Sequence, residues 1–363
     1  MSKLKSMFGA HAENMQIAID NRNDRFDPLF FPTYFPIGLP QVSLDYTSVI
    51  GASRIEAAAS IVNRDSPAPP RTRQTFERLS GTIPPISEKF HLKESDMRDF
   101  EVIKSMTSLE SARKEALMKL IWDDVRKAGN APLKRIDMLV LEGLSTGKLT
   151  ATVDNNPDGI TFDLDLLMPS ENKTQAAVQW GSTSATPITD IQNKVEAARA
   201  KGVTFSKMLM SSVLFGKFRK TTEVLDTLKA FYYGPKPGAG FNPIGITTLS
   251  SINEFLTQER LPVIEIVDNT FGVEKGGKIQ TVRPFSDNNV SFIPAGTLGE
   301  IKQAVSMEKI RPAKNCDYAV FKDEILISKW STNEPLQEWT KGEWNAFPSF
   351  SAIDSVYLLT AVF

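Results

Sequence analysis

From Ser108 onward, Leu109, Ala112, Ala116, Leu117, Leu120, Ile121 and Val125 recur at helical spacing while charges fill the other faces. This pattern predicts the longest helix of the chain. Glu110 with Lys114, Glu115 with Lys119 and Asp123 with Lys127 place an acid four residues before a base, each pair adding roughly 0.2–0.5 kcal/mol. Gly129 and Pro132 interrupt the pattern, and Ile136, Leu139, Val140 and Leu144 resume it as far as Gly147, so the helical region is expected over 108–147.

Upstream, the pattern is of a different kind. FDPLFFPTYFPIGLP sets four prolines into an aromatic-rich stretch that neither a helix nor a central strand accepts. Residues 1–50 therefore read as an arm. Phe26, Phe30, Phe31, Tyr34 and Phe35 each gain roughly 1.5–3 kcal/mol on full burial, against either the chain's own core or a neighbour. Residues 51–95 follow, with Arg64, Arg71, Arg73 and Arg78 among Pro67, Pro69, Pro70, Pro84 and Pro85. Such a stretch reads as an extended loop or long hairpin, the latter favoured by IPPISEKFHL. Its apolar residues Ile61, Val62, Phe76, Ile83, Ile86 and Phe90 call for partners.

Downstream the chain alternates between α and β. GITFDLDLLM at 159–168 alternates as a strand does, and further strands are expected at 203–209, 262–267, 279–283 and 289–293. Thr189 with Gln192 and Ser251 with Glu254 read as capping boxes of short helices, the first ending at Gly202. DYAVF and EILISKW read as a hairpin.

Composition narrows the function classes. The 42 Lys and Arg balance 43 Asp and Glu, which removes the case for a nucleic-acid binder acting through a global basic field. Residues 51–95 hold seven basic against five acidic side chains, a weak footprint for phosphate. Pairing of these arginines with acids on another subunit is the preferred reading. Cys316 is the single cysteine, so one chain supplies neither an intrachain disulfide nor a thiolate cluster. The first 20 residues lack a signal-peptide core, and no apolar run reaches the ~18 residues of a membrane span. A soluble chain made in a cytoplasm is expected.

Candidate chemistry is sparse. His11 and His91 are the two histidines, too few for a multi-histidine metal site, and no triad is expected. GLSTGKLT at 143–150 has three residues between its glycines and Leu149 after its lysine, so it departs from a phosphate loop and reads as a helix ending at Gly147. Asp163 and Asp165 share a strand face that reads as solvated, GPKPGAG at 234–240 reads as a loop tip, and Cys316 reads as a small buried hydrophobe. No catalytic residue, cofactor or metal is expected.

The order of these segments, together with FDPLFF, RPFSDNNVSFIPAGTLG at 283–299 and EPLQEWTKGEWNAFPSFSAIDSVYLLTAVF at the end, resembles the lambda gpE-like family of phage major capsid proteins. SDNNVSFIP resembles the family's strand after an aspartate-rich turn. Pro335 and Pro348 stand where it has prolines, and Asp354 resembles an acid before the last strand. The tail departs in its tryptophans, Trp330, Trp339 and Trp344. The resemblance implies an α+β fold of the Hong Kong 97 type. It divides the chain into an N-terminal arm at 1–50, an extended loop at 51–95 and a peripheral domain at 96–175 with the spine helix 108–147. An axial domain follows at 176–335, and 336–363 return to the peripheral domain.

The function so implied is a major capsid protein. Its copies form hexamers and pentamers of an icosahedral head around non-specifically held double-stranded DNA, with scaffold, portal and decoration proteins as further partners and no membrane. Its places are the virion and, during assembly, the host cytoplasm. Arg71, Arg73, Arg78, Phe30, Phe31 and Phe76 are the expected assembly contacts. An encapsulin-like cargo compartment and an α/β enzyme with a mobile lid at 51–95 are the competing readings.

Overall fold

The computed structural model describes residues 28–50, 77–105, 110–234, 247–321 and 324–363. The first strands in chain order are β1 (Ile37–Gln41), β2 (Asp45–Ile50), β3 (Glu77–Thr82), β4 (Pro85–Lys93), β5 (Lys148–Ala151), β6 (Phe162–Asp165), β7 (Lys173–Gln175), β8 (Phe205–Met210) and β9 (Val263–Ile266). There follow β10 (Phe271–Lys275), β11 (Lys278–Val282), β12 (Asn289–Pro294), β13 (Glu300–Ala304), β14 (Asp317–Phe321), β15 (Ile325–Asn333), β16 (Leu336–Ser349) and β17 (Tyr357–Thr360). The helices are α1 (Glu94–Ser105), α2 (Glu110–Thr146), α3 (Pro187–Ala200), α4 (Ser212–Phe218), α5 (Thr222–Tyr233), α6 (Leu249–Gln258) and α7 (Met307–Ile310). The chain divides into two compact units, one of Met1–Tyr46, Ser80–Asp137 and Glu300–Ser349, the other of Thr47–Leu79, Met138–Gly299 and Phe350–Phe363.

The first unit is built on β16. That strand pairs antiparallel with β4, β13 and β15; β14 extends the sheet beyond β15, and β1 lies parallel to β13. Residues of β16 alternate in burial as a strand's period of two requires. Glu338, Thr340, Gly342 and Trp344 are buried, while Trp339, Lys341 and Glu343 are half-buried. The buried face meets α2 where Gly342 lies against Ala128, and Val125, Leu133 and Ile136 of that helix are buried in the same unit, as are Phe31, Phe35, Ile83, Ile301, Ile325 and Ile327.

Helix α2 runs unbroken through Gly129 and Pro132, where the sequence pattern is interrupted. Both residues serve close packing. Pro132 has no N–H to offer the Ala128 carbonyl four residues earlier. Gly342 of β16 lies against that same carbonyl, so tightly that a Cβ there would stand 1.9 Å from the oxygen. At Gly129 a Cβ would meet the Phe321 ring at 2.9 Å. The helix pattern is broken in sequence because these positions are shaped to the sheet, and tertiary contact outweighs the propensity cost. The side chains of the stripe from Leu109 to Ile121, including Leu117, lie outside the described residues.

In the second unit the sheet order is β7, β17, β12, β8, β9, antiparallel at β12 and parallel at both edges. Trp180, Ile191, Phe218, Leu228, Leu256, Phe292 and Tyr357 form its core with helices α3 to α6. Gly147, at φ +73°, ends α2 as expected. The last carbonyls of that helix find donors in the SDNNVSFIP segment: Asn289 Nδ2 donates to the Ser145 carbonyl at 2.8 Å and Ser291 Oγ to Leu144 at 2.7 Å.

Several expectations change in detail. The two capping boxes do not form. Thr189 lies inside α3, whose first N–H groups at Ile188 and Thr189 donate to the Glu223 carboxylate, and α6 is capped by Thr248, which accepts from the Ser251 N–H. Residues 300–335, expected in the axial domain, pair with β16 and β1 in the first unit, and β17 pairs with β7 and β12 in the second. Within the stretch 51–95, β4 is stitched to β16 over nine positions and β3 pairs with β2. Ile83 is buried, and Ile86 and Phe90 are half-buried, within the chain itself. Ile61, Val62, Phe76, Phe26 and the GPKPGAG loop from Pro235 on lie outside the described residues.

Candidate assembly surfaces

The arm is seated on α2 by one carboxylate. Asp137, wholly buried, accepts the Phe30 N–H at 2.9 and 3.1 Å and the Phe31 N–H at 2.7 Å, caging the start of the 3-10 turn Phe31–Thr33. Phe30 packs on Tyr34 at 5.1 Å, and both Phe30 and Phe31 are buried. Within the subunit the chain covers these two rings itself, and seating them on α2 satisfies their backbone N–H groups as well. Sequence reasoning missed Asp137, although a lone acid inside the stripe Ile136, Leu139 and Val140 was the available signal.

Arg71, Arg73 and Phe76 lie outside the described residues, as does the side chain of Arg78, whose backbone belongs to β3. Just beyond the arm, β1 is an edge strand, and with the turn after it exposes Ile37, Leu39, Val42 and Leu44, Leu39 at 91%. An edge with free backbone groups and uncovered apolar side chains is a template for another chain.

The two faces of the β4–β16–β15 sheet differ. Towards α2, Lys329 and Glu338 form an ion pair at 2.5 Å with both side chains 2% exposed. On the opposite face Trp339 stands between two aromatic neighbours, His91 at 4.8 Å and Trp330 at 6.2 Å, with the Lys89 ammonium 4.9 Å from its ring centre. On the same face Lys341 bonds Glu308 at 2.7 Å and Glu343 at 2.8 Å. Burial would lower the Lys341 ammonium, but the two carboxylates outweigh it and hold its pKa above the ordinary value.

The second unit contains a buried cation. Lys194 Nζ donates to the Asn172 carbonyl at 2.9 Å and Thr174 Oγ1 at 2.8 Å, 5.2 Å from the Tyr357 ring centre. Burial, with the nearby Lys201 charge, pushes its pKa down to about 8. The pairs weighed for catalysis are placed apart from such burial. Asp163 and Asp165 are exposed on β6, Asp165 Oδ1 accepting the Leu167 N–H, and burial raises the Cys316 thiol. Among the described residues no three His, Cys, Asp or Glu side chains gather to hold a metal ion.

The model of one family, described as phage major capsid protein E, matches residues 15–361. No match is found among curated proteins. Among solved structures, a protein assigned to the capsid of a prophage in E. coli CFT073 is similar at 14% identity and TM-score 0.58, covering 96% of this chain and 98% of its own. The cyanophage A-1(L) capsid subunit is similar at 13% identity and TM-score 0.50, covering 92% of each chain. A phage-related protein of Bordetella bronchiseptica RB50 reaches 0.50 at 10% identity, covering 96% of each. Such similarity at low identity speaks to fold, and the fold is α+β of the Hong Kong 97 type. Since the family match runs almost from end to end and the fold agrees with it, the chain belongs to the phage major capsid protein E family.

Proposed function

We propose that copies of this subunit form the hexamers and pentamers of an icosahedral phage head that encloses double-stranded DNA, held non-specifically. That the chain is a phage major capsid protein, building a shell from its own copies in the virion, follows from its family. The observation that carries the finer reading is the 15–361 match, supported by a segment of 26 residues between the paired strands β2 and β3, long enough to reach beyond its own subunit. In this reading the first unit is the peripheral domain, the second the axial domain, and Arg71, Arg73, Arg78 and Phe76 contact a neighbour. Scaffold, portal and decoration proteins are the further partners, and assembly takes place in the host cytoplasm.

Negative-stain microscopy of the purified protein tests the reading: shells or six- and five-fold rings are expected, and a compact monomer at high concentration overturns it. Nuclease-protected double-stranded DNA is expected in heads from infected cells; particles holding protein cargo instead would make it an encapsulin-like compartment. Arg71→Ala, Arg73→Ala and Arg78→Ala together should weaken particle formation in a salt-dependent way while leaving the circular dichroism of the dissociated subunit unchanged. Each partly exposed pair contributes only about 0–1 kcal/mol, so the effect rests on repetition across the shell. Normal assembly of the triple variant would exclude these arginines as contacts.

A further inference from the structure

The connection between β13 and β14, residues 305–316, crosses the face of the sheet turned away from α2. Its bonds mark the course. Ser306 Oγ donates to Glu343 Oε1 at 2.8 Å, Lys341 holds Glu308 at 2.7 Å, Lys309 Nζ holds both oxygens of the buried Glu324 at 2.8 Å, and the Ala313 N–H donates to the Tyr318 hydroxyl at 3.1 Å. In the sheet Glu343 pairs with Leu326 and Lys341 with Ser328, and Ser328 pairs in turn with Tyr318. Side chains paired in this way stand side by side on one face. Leu326, Ser328 and Tyr318 are all buried there, and the residues beside them carry the connection across, so it is their cover.

What holds this cover is polar. None of residues 307–315 is buried, and the two large apolar side chains of α7 are turned outward, Met307 62% and Ile310 50% exposed. Ser306, the N-cap of α7, makes no capping bond, because its hydroxyl is turned to Glu343 instead. Beneath the cover the Ser328 hydroxyl is buried with no hydrogen-bond partner among the described residues, so closing over it costs free energy. A segment that buries no large side chain of its own and diverts its cap belongs to the low-stability end of a fold, where opening is local. We propose that residues 305–316 are an ion-pinned strap that lifts as a unit while the rest of the first unit stays folded, uncovering Leu326, Ser328 and Tyr318. Closed, the pins Glu308–Lys341 and Lys309–Glu324 keep that patch from any partner. Lifted, the strap frees the Ser328 hydroxyl and adds an apolar floor beside Trp330, which follows Ser328 by two residues on the same face and ends the aromatic row with Trp339 and His91. Charge sets the balance, and salt acts chiefly at Glu308, whose side chain is 40% exposed, and least at Glu324, at 8%.

Cys316, the single cysteine, ends the strap and reports on it. Its thiol is half-buried and desolvated, so attack on Ellman's reagent is slow until the strap lifts. In the dissociated subunit, Lys309→Met and Ser306→Ala should each speed the labelling of Cys316 by about tenfold relative to the same chain unfolded in urea, with little change in the urea midpoint. Hydrogen exchange of the 305–316 peptide should accelerate in parallel. Glu308→Gln is read by exchange alone, because the Glu308 charge acts on the Cys316 thiol directly. Asp137→Ala is the control: it loosens the arm and lowers global stability, yet should leave the labelling rate of Cys316 unchanged. Labelling and exchange that the pin variants do not alter overturn the inference, and so does an acceleration by Asp137→Ala as large as that by Lys309→Met, which would mean that the thiol is reached by global unfolding. Should Lys309→Met fail to fold, wild-type subunit in NaCl raised from about 0.05 to about 1 M answers the same question: labelling that rises several-fold against the unfolded chain supports the strap, and a flat rate overturns it. All of these readings are made on the subunit, so the assembly reading stands or falls separately.

Discussion

Replacing Asp137 by Ala removes the acceptor that seats the arm. Two buried backbone donors, the N–H groups of Phe30 and Phe31, lose three contacts of 2.7–3.1 Å. Each orphaned donor costs roughly 1–3 kcal/mol, so the gross penalty is about 2–6 kcal/mol. Removal of a buried charge offsets part of that, because the carboxylate no longer has to be held out of water. A net loss of about 2–4 kcal/mol is expected. Asp137→Asn is the informative companion. Its remaining oxygen at the Oδ1 position keeps the contacts at 2.9 and 2.7 Å and loses the one at 3.1 Å, so it should cost about 1 kcal/mol. Urea unfolding of the dissociated subunit reads the stability. Limited chymotrypsin digestion reads the arm, because release would expose Phe30, Phe31, Tyr34 and Phe35 as cleavage sites. An Asp137→Ala subunit as stable and as resistant as the wild type would refute the argument that this carboxylate anchors the arm.

Gly342→Ala should lower the melting temperature sharply, since its Cβ would stand 1.9 Å from the Ala128 carbonyl oxygen and both groups are backbone; the cost is about 3 kcal/mol or more, and unchanged melting would contradict the close approach of β16 and α2. Lys329→Met alone should destabilise by about 3–5 kcal/mol by taking the ammonium away from the buried Glu338 carboxylate, whereas Lys329→Met with Glu338→Leu should recover most of that; an equal loss in both would refute the buried pair. For Lys194 the folded pKa of about 8 lies below the ordinary 10.5. Below pH 8 both states hold the proton and the burial penalty, about 3 kcal/mol, is constant; between pH 8 and 10.5 the folded state has lost the proton while the unfolded state keeps it, so stability rises with pH. Lys194→Met should remove that rise, and parallel pH dependences of the two proteins in urea unfolding would exclude the lysine as its source.

The sequence alone determined the elements whose signals are local. The long helix, its end at Gly147, the strands at 205–210, 263–266 and 289–294 and the β14–β15 hairpin are legible because periodicity and a positive-φ glycine act over a few residues. The end-to-end family resemblance was legible in stretches read directly from the sequence, and one of them, SDNNVSFIP, supplies Asn289 and Ser291 to the last carbonyls of α2. Only the tertiary structure decided what depends on partners distant in sequence. Phe30 meets Asp137 across 107 residues, and the ion pair Lys329–Glu338 and the ladder His91–Trp339–Trp330 exist because β16 is flanked by β4 and β15 in one register. Gly129 and Pro132 read as a break when the helix is taken alone; they read as a fit once Gly342 and Phe321 are against them. The physical reason is common to these cases. A strand or helix reports its own periodicity, but which of its faces meets another element is settled by pairings whose members lie scores of residues apart, and a one-residue change of register would exchange every buried charge for an exposed one.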